Sequence, residues 1–256
     1  MDHIDRIPLF RTEAATFEKA VRRAYDRGDP VPQVPSCPGW TVTDLVRHLG
    51  GVHRFLAHVL RERLTTPPDP AGLAPPRVPG AADGPDALSD WFAQGARELA
   101  DLFRELGPDT PVWTWSQEQT SGFWLRMQLI ELAVHRWDAE SATGTPGPLD
   151  PAVAVDAVTQ SVEVMAPARR TWKQAPQGTG ERYRFRRTDG PESWTVLFSG
   201  DQVLLEPGSS GPVTVEAAGS ASDLALFLWR RVPPTVLHVT GDTDLLAHWF
   251  TLVPPV

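Results

Sequence analysis

Four stretches within the first 142 residues repeat apolar side chains every three or four positions, and beyond them the rhythm changes to alternation. A chain patterned this way has four helical stripes to bury against one another. In the first stretch, roughly residues 5 to 27, Ile7, Phe10, Ala14, Phe17, Val21 and Ala24 fall on one face, and Gly28, Asp29 and Pro30 end it. The second, TVTDLVRHLGGVHRFLAHVLRERL, follows the proline-punctuated loop VPQVPSCPGW and places Thr41 three residues before Asp44, a capping-box spacing. The third, about 86 to 106, carries Leu88, Trp91, Phe92, Leu99, Leu102 and Phe103 and stops at Gly107 and Pro108. The fourth, about 121 to 142, reads SGFWLRMQLIELAVHRWDAESA and closes at Gly144. Four such helices suggest a four-helix bundle. Gly50 and Gly51 interrupt the second helix, where each costs about 1 kcal/mol against alanine, so the pair implies close approach of another helix or a ligand. Residues 65 to 85, dense in Pro, Ala and Gly, read as a long surface loop able to cover a site.

The segment TGTPGPLDP is a linker by composition, which divides the chain into domains 1–146 and 147–256. Past it, a helix near 151 to 169 precedes the runs ERYRFRRT, SWTVLFSG, QVLLEP and PVTVEA, short strands broken by turns. The stretches SASDLALFLWRRV and DTDLLAHWFTLV are helical and flank a last strand, TVLHVTG. The second domain is therefore a small α+β unit. Internal repeats and a glycine-rich phosphate loop are both missing.

Two domains of this size bury a core without staples. The net charge of -8 argues against a nucleic-acid partner, which needs basic surface. Arg182, Arg184, Arg186 and Arg187 alternate with aromatics and read as a solvated sheet face. No apolar run approaches the roughly 20 residues of a membrane span, and MDHIDRIPLF is too charged for a secretory signal. The expected location is cytoplasmic. The single cysteine, Cys37, excludes an internal disulfide and fits a reducing compartment, so histidines and carboxylates must do any metal work. An acidic surface suits a monomer or a homodimer equally.

Glu131 and His135 stand four apart on the fourth helix and share a face, among the apolar residues of QLIELAV. On a wet surface such a pair is worth about 0.2–0.5 kcal/mol. In apolar surroundings the carboxylate needs a partner, and a metal is one way to supply it. His48 lies inside the second helix, where a core residue and a ligand are both open readings, and His53, five residues on, points elsewhere. Cys37 reads as a small buried hydrophobe in a turn rather than a nucleophile or fourth ligand, since no basic residue adjoins it in sequence. Trp40, Trp113, Trp115, Trp124 and Trp137 are core or pocket wall. Trp113 and Trp115, on an interhelix connection, are the two placed to contact a bound cofactor or ligand.

The stretches VPSCPGWTVTDLVRHLGG and FWLRMQLIELAVHRWDAE resemble the mycothiol-dependent maleylpyruvate isomerase family, a branch of the DinB-like metal-binding four-helix bundles. SASDLALFLWRRVPPTVLHVTGDTDLL resembles that family's small, sterol-carrier-like second domain, so the likeness spans nearly the whole chain. It implies that the histidine of W-x-x-x-D-L-x-x-H-L and both residues of E-x-x-x-H bind the metal, here His48, Glu131 and His135. Two histidines and one glutamate leave a fourth position open, as expected of catalytic zinc. The family's tryptophan-glycine-arginine reads Trp229-Arg230-Arg231 here, so Arg231 matches the arginine while Arg230 replaces the glycine. A planar guanidinium suits a substrate carboxylate, whereas an arginine offsetting the helix dipole is the plainer reading. Where many members carry histidine before the ligand glutamate, this chain has Ile130, and specificity for maleylpyruvate does not follow from the fold.

The resemblance implies a metal-dependent enzyme that uses mycothiol, the low-molecular-weight thiol of actinobacteria, for addition, isomerisation or S-transfer on a small electrophile. Arg231 or Arg230 would clamp an anionic substrate. The alternatives are a hydrolase using metal-activated water and a non-catalytic, metal-loaded small-molecule binding protein.

Overall fold

The computed structural model describes residues 5–28, 31–69, 77–84, 86–144, 146–206 and 211–255. Asp29 and Pro30 at the end of the first helix, and the middle of the 65–85 loop with Pro85, lie outside these. The contacts divide the chain into two compact units, Met1–Gly147 and Pro148–Val256.

In the first unit α1 (Arg6–Tyr25), α2 (Val42–Arg61), α3 (Ala87–Leu106) and α4 (Ser121–Ser141) are the long helices. The Thr41 hydroxyl accepts the Asp44 amide and the Asp44 carboxylate accepts the Thr41 amide, so the capping box starts α2. Phe10 meets Phe103 and Phe17 meets Phe92, which sets α1 antiparallel to α3. Gly50 faces Trp91 and Arg61 pairs with Glu98, so α2 runs parallel to α3. A Cβ on Gly50 would lie 2.0 Å from the Trp91 ring, whereas one on Gly51 meets nothing within 4 Å. One glycine of the pair thus answers to another helix and the other to no neighbour. The Arg54 guanidinium stacks 3.7 Å from the centre of the Trp91 ring and donates to the Gly50 and Trp91 carbonyls, locking the contact from its wet side.

α4 is buried on almost every face, including Gln128, His135, Arg136 and Asp138. Arg136 enters the core because Glu13 of α1 and Glu140 meet it at 3.0 and 2.8 Å. Buried charges of this kind are tolerated only in pairs.

His53 is a buried ring in the bundle core with no such pairing. It is fully buried between Phe10 and Phe92, and neither ring nitrogen has a hydrogen-bond partner.

The second unit holds a five-stranded sheet in the order β3-β2-β1-β4-β5. Its strands are β1 (Gly178–Arg187), β2 (Ser193–Gly200), β3 (Gln202–Glu206), β4 (Val215–Gly219) and β5 (His238–Gly241). β1 and β4 are parallel and the other neighbours antiparallel. Tyr183, Phe185 and Phe198 close around Trp249 of α8 (Thr243–Leu252), with ring centres 4.9–5.4 Å away. Alternation sends Arg182, Arg184 and Arg186 to the opposite face, where Glu206 and Glu216 pair with them. The arginines are thus a paired sheet face.

The helix expected near 151–169 is α5 (Pro151–Gln160), one π-helical turn (Ser161–Met165) and α6 (Ala166–Trp172). Pro167 has no N–H to give, and the wider turn just before it absorbs the disturbance. α7 (Ala221–Leu228) packs on α5, β4 and β1. No described helix is long and apolar enough to cross a membrane.

Burial pulls the His53 pKa down to about 4 from 6.5, so the ring stays neutral in the fold while the unfolded chain takes up a proton below pH 6.5. Stability that is complete above pH 6.5 is therefore lost as pH falls toward 4, by on the order of 3 kcal/mol. A His53→Leu variant, followed by urea unfolding across that range, is expected to lose most of this slope. At pH 7.5 it should be at least as stable as the parent.

Candidate functional site

α2 brings in one residue and α4 two. His48 Nε2 lies 2.9 Å from Glu131 Oε1, and the rings of His48 and His135 stand 5.2 Å apart at 80°. One donor atom from each of His48, Glu131 and His135 lies within 4.8 Å of the others. The structure thus brings together the three residues expected as ligands, and this cluster could hold a cation. The His48 side chain is 32% exposed and that of His135 9%, so the cluster opens on the His48 side.

Burial works to raise the Glu131 carboxyl. The His48 hydrogen bond, the nearby imidazoles and the Gln128 amide at 2.7 Å outweigh it, and the group sits below its ordinary value as a carboxylate.

A second layer lies behind the first. His135 Nδ1 bonds to Asp138 Oδ2 at 2.9 Å, and Asp138 is completely buried. Ser36 Oγ donates to Asp138 Oδ1 at 2.5 Å and Cys37 Sγ to Oδ2 at 3.5 Å. The loop before α2 is thereby tied to α4, and it delivers Trp40, whose ring stands 5.3 Å from that of His48. Asp138 escaped notice in the sequence. Its signal is a carboxylate one turn after His135 on an otherwise apolar helix, facing the same way.

Cys37, expected as a buried hydrophobe, is a half-buried thiol bonded to that carboxylate. It belongs to a second group, Cys37, His135 and Asp138, whose donor atoms also lie within 4.8 Å of one another. Sequence neighbours could not show this, because the groups around its sulfur come from α4.

Trp113 packs on Phe55 and Trp124, and Trp115 on Phe123. Trp40 stands against His48 of the cluster.

Arg230 and Arg231 lie in the second unit. Arg230 takes φ +60°, and the Arg230 and Arg231 amides donate back to the Phe227 and Leu226 carbonyls at 2.8 and 2.7 Å. This is the left-handed helix stop usually made by glycine. Arg230 thus takes a conformation usual for glycine, the residue that the resemblance sets at this position. Arg231 Nη1 donates to the Trp229 carbonyl, and the Arg230 guanidinium lies 5.3 Å from the Phe250 ring centre.

A family model described as the mycothiol maleylpyruvate isomerase N-terminal domain matches residues 10–140, and its C-terminal domain counterpart matches residues 152–248. The chain belongs to the mycothiol maleylpyruvate isomerase family. A crystal structure of the mycothiol-dependent maleylpyruvate isomerase superposes with a TM-score of 0.61 at 17% identity over 93% of each chain. A mutant of that enzyme gives a TM-score of 0.60 at 16% identity, again over 93% of each chain. The family fold, a helical bundle followed by a smaller α+β domain, is thus present here. Two uncharacterized proteins from two strains of Mycobacterium tuberculosis are 25% identical over 163 residues, covering 64% of this chain and 82% of theirs.

Two stability measurements follow from this geometry. Arg230→Gly should gain about 1 kcal/mol, because glycine takes the left-handed conformation without the Cβ penalty; a lower melting temperature would contradict it. Asp138→Asn, which turns one acceptor into a donor facing Ser36, Cys37 or His135, should cost about 1–3 kcal/mol in urea unfolding.

Proposed function

We propose that the protein is a mycothiol-dependent enzyme in which His48, Glu131 and His135 hold one divalent metal, zinc by the character of its donors. The observation that carries this is the gathering of three donors from two helices with the second nitrogen of His135 already engaged. Asp138 occupies Nδ1 and leaves Nε2 for a metal, the carboxylate–histidine arrangement common behind zinc sites.

The donor set fits the ion. Tetrahedral zinc with bonds of about 2.0–2.1 Å spaces its ligand atoms about 3.3 Å apart, so the 2.9 Å His48–Glu131 contact need open by only a few tenths of an ångström. Bound there, such an ion supplies the charge that keeps a thiol ionised near neutral pH.

The protein's own groups do the rest. Glu131 is kept anionic by His48 and Gln128, Asp138 holds the His135 ring in one orientation, and Trp40 walls the His48 side. Trp113 and Trp115 are candidate contacts for the thiol. Arg231, its backbone set by the left-handed Arg230, is assigned to an anionic group of the substrate. The reaction class is addition, isomerisation or S-transfer of the thiol on a small electrophile. Ile130 is fully buried at the position where the resemblance leads one to expect histidine, which favours an acceptor other than maleylpyruvate.

Elemental mass spectrometry of the purified protein tests the centre directly. About one metal per chain is expected, with loss in folded His48→Ala and His135→Ala variants, and turnover of electrophiles only when mycothiol is added. A wild type that stays empty after zinc reconstitution would overturn the metal assignment. Turnover without thiol would favour hydrolysis instead.

A further inference from the structure

Within the second unit, α6 and the end of α7 bring together a cluster of donors that the fold leaves unused. The Arg169 guanidinium lies 5.8 Å from the centre of the Trp229 ring. Arg169 Nε and Trp229 Nε1 are both buried and neither has a hydrogen-bond partner. Arg231 is anchored to the same tryptophan through the Trp229 carbonyl, 2.8 Å from its Nη1.

Arg170 Nε and Arg184 Nε are also buried without a partner, but those guanidiniums are engaged through their other nitrogens. The adjacent Arg170 donates to the carbonyls of Leu252, Pro176 and Gly200, and Arg182, Arg184, Arg186 and Arg187 all meet carboxylates. Among the described residues no acid forms an ion pair with Arg169. Burial, with the like charge of Arg231 as a smaller cause, pulls the Arg169 pKa down to about 10, far below that of a guanidinium in water.

A partly desolvated Arg169 that forms no ion pair with any described acid is costly to maintain. An anion seated against Arg169 and the Trp229 indole would remove the cost and satisfy both orphaned donors. The donors are an arginine Nε–H and an indole N–H, and the ring supplies a flat wall, an arrangement that suits a planar group with two acceptor oxygens.

We propose that Arg169 and Trp229 complete, with Arg231, a binding site for a small molecule bearing a carboxylate. The assignment extends the reading of Arg231 as an anion-binding residue and rests on it, while Arg169 and Trp229 are new to the site. The site also explains why an arginine without an acid is kept half-buried on α6: its partner is the ligand.

The test uses the full-length protein with succinate as probe, followed by titration calorimetry and thermal unfolding, with neutral succinamide and inorganic phosphate as controls. Wild type is expected to bind succinate and not succinamide, and to melt higher in its presence. Arg169→Gln should weaken succinate binding on the order of tenfold, the loss of one charge-assisted hydrogen bond. It should also melt higher than wild type without any anion, because an unpaired buried charge has gone. A merely structural Arg169 would give the opposite shift. Trp229→Phe, which keeps the ring wall and removes one donor, should weaken binding to a lesser degree.

Succinate affinity unchanged in Arg169→Gln but lost in Arg231→Gln would overturn the proposal while leaving the reading of Arg231 intact. Affinity unchanged in both variants, or no binding by wild type, would sink both. Phosphate binding in preference to succinate would overturn the carboxylate assignment.

Discussion

A polar side chain taken out of water must find a partner, and α4 takes five of them into the bundle at once. Gln128, Glu131, His135, Arg136 and Asp138 lie within three turns of one helix, and their pairs reach outward to α1, α2 and the loop before α2. Arg136 calls in Glu13 of α1, Glu131 calls in His48 of α2, and Asp138 calls in Ser36 and Cys37 of the loop before α2. Removing one partner would leave a buried charge uncompensated, which costs more than the pair itself contributes. The packing of the bundle is thus tied to the chemistry of its centre.

That coupling explains the order of the layers around the cluster. Asp138 fixes both the ring of His135 and the position of the loop, and the loop in turn places Trp40 against His48. The same apolar packing that fixes α2 on α3, with Trp91 pressed into the face left bare by Gly50, holds His48 at its level. His53 shows the reverse case, an imidazole on the same helix that found only phenyl rings and is kept neutral by them.

The second unit solves a different problem, covering one face of a sheet. Trp249 does so by filling the space between three aromatic rings, and the opposite face is neutralised by glutamates set across the strands from arginines. The exit from α7 has a glycine-type backbone with an arginine in it, at the cost of local strain.

Much of this was legible in the sequence. Helix positions and strand runs follow from periods of 3.6 and 2, and caps such as Thr41 and Asp44 are local chemistry that needs no distant partner. The resemblance to the isomerase family, carried by two separated motifs, also pointed to His48, Glu131 and His135. Asp138, the thiol of Cys37 as its donor, Trp40 at His48, and the unpartnered donors of Arg169 and Trp229 were not legible. Each depends on which residue from a distant segment meets a buried polar atom. Periodicity says that a side chain faces inward, but only the packed structure decides what it meets there.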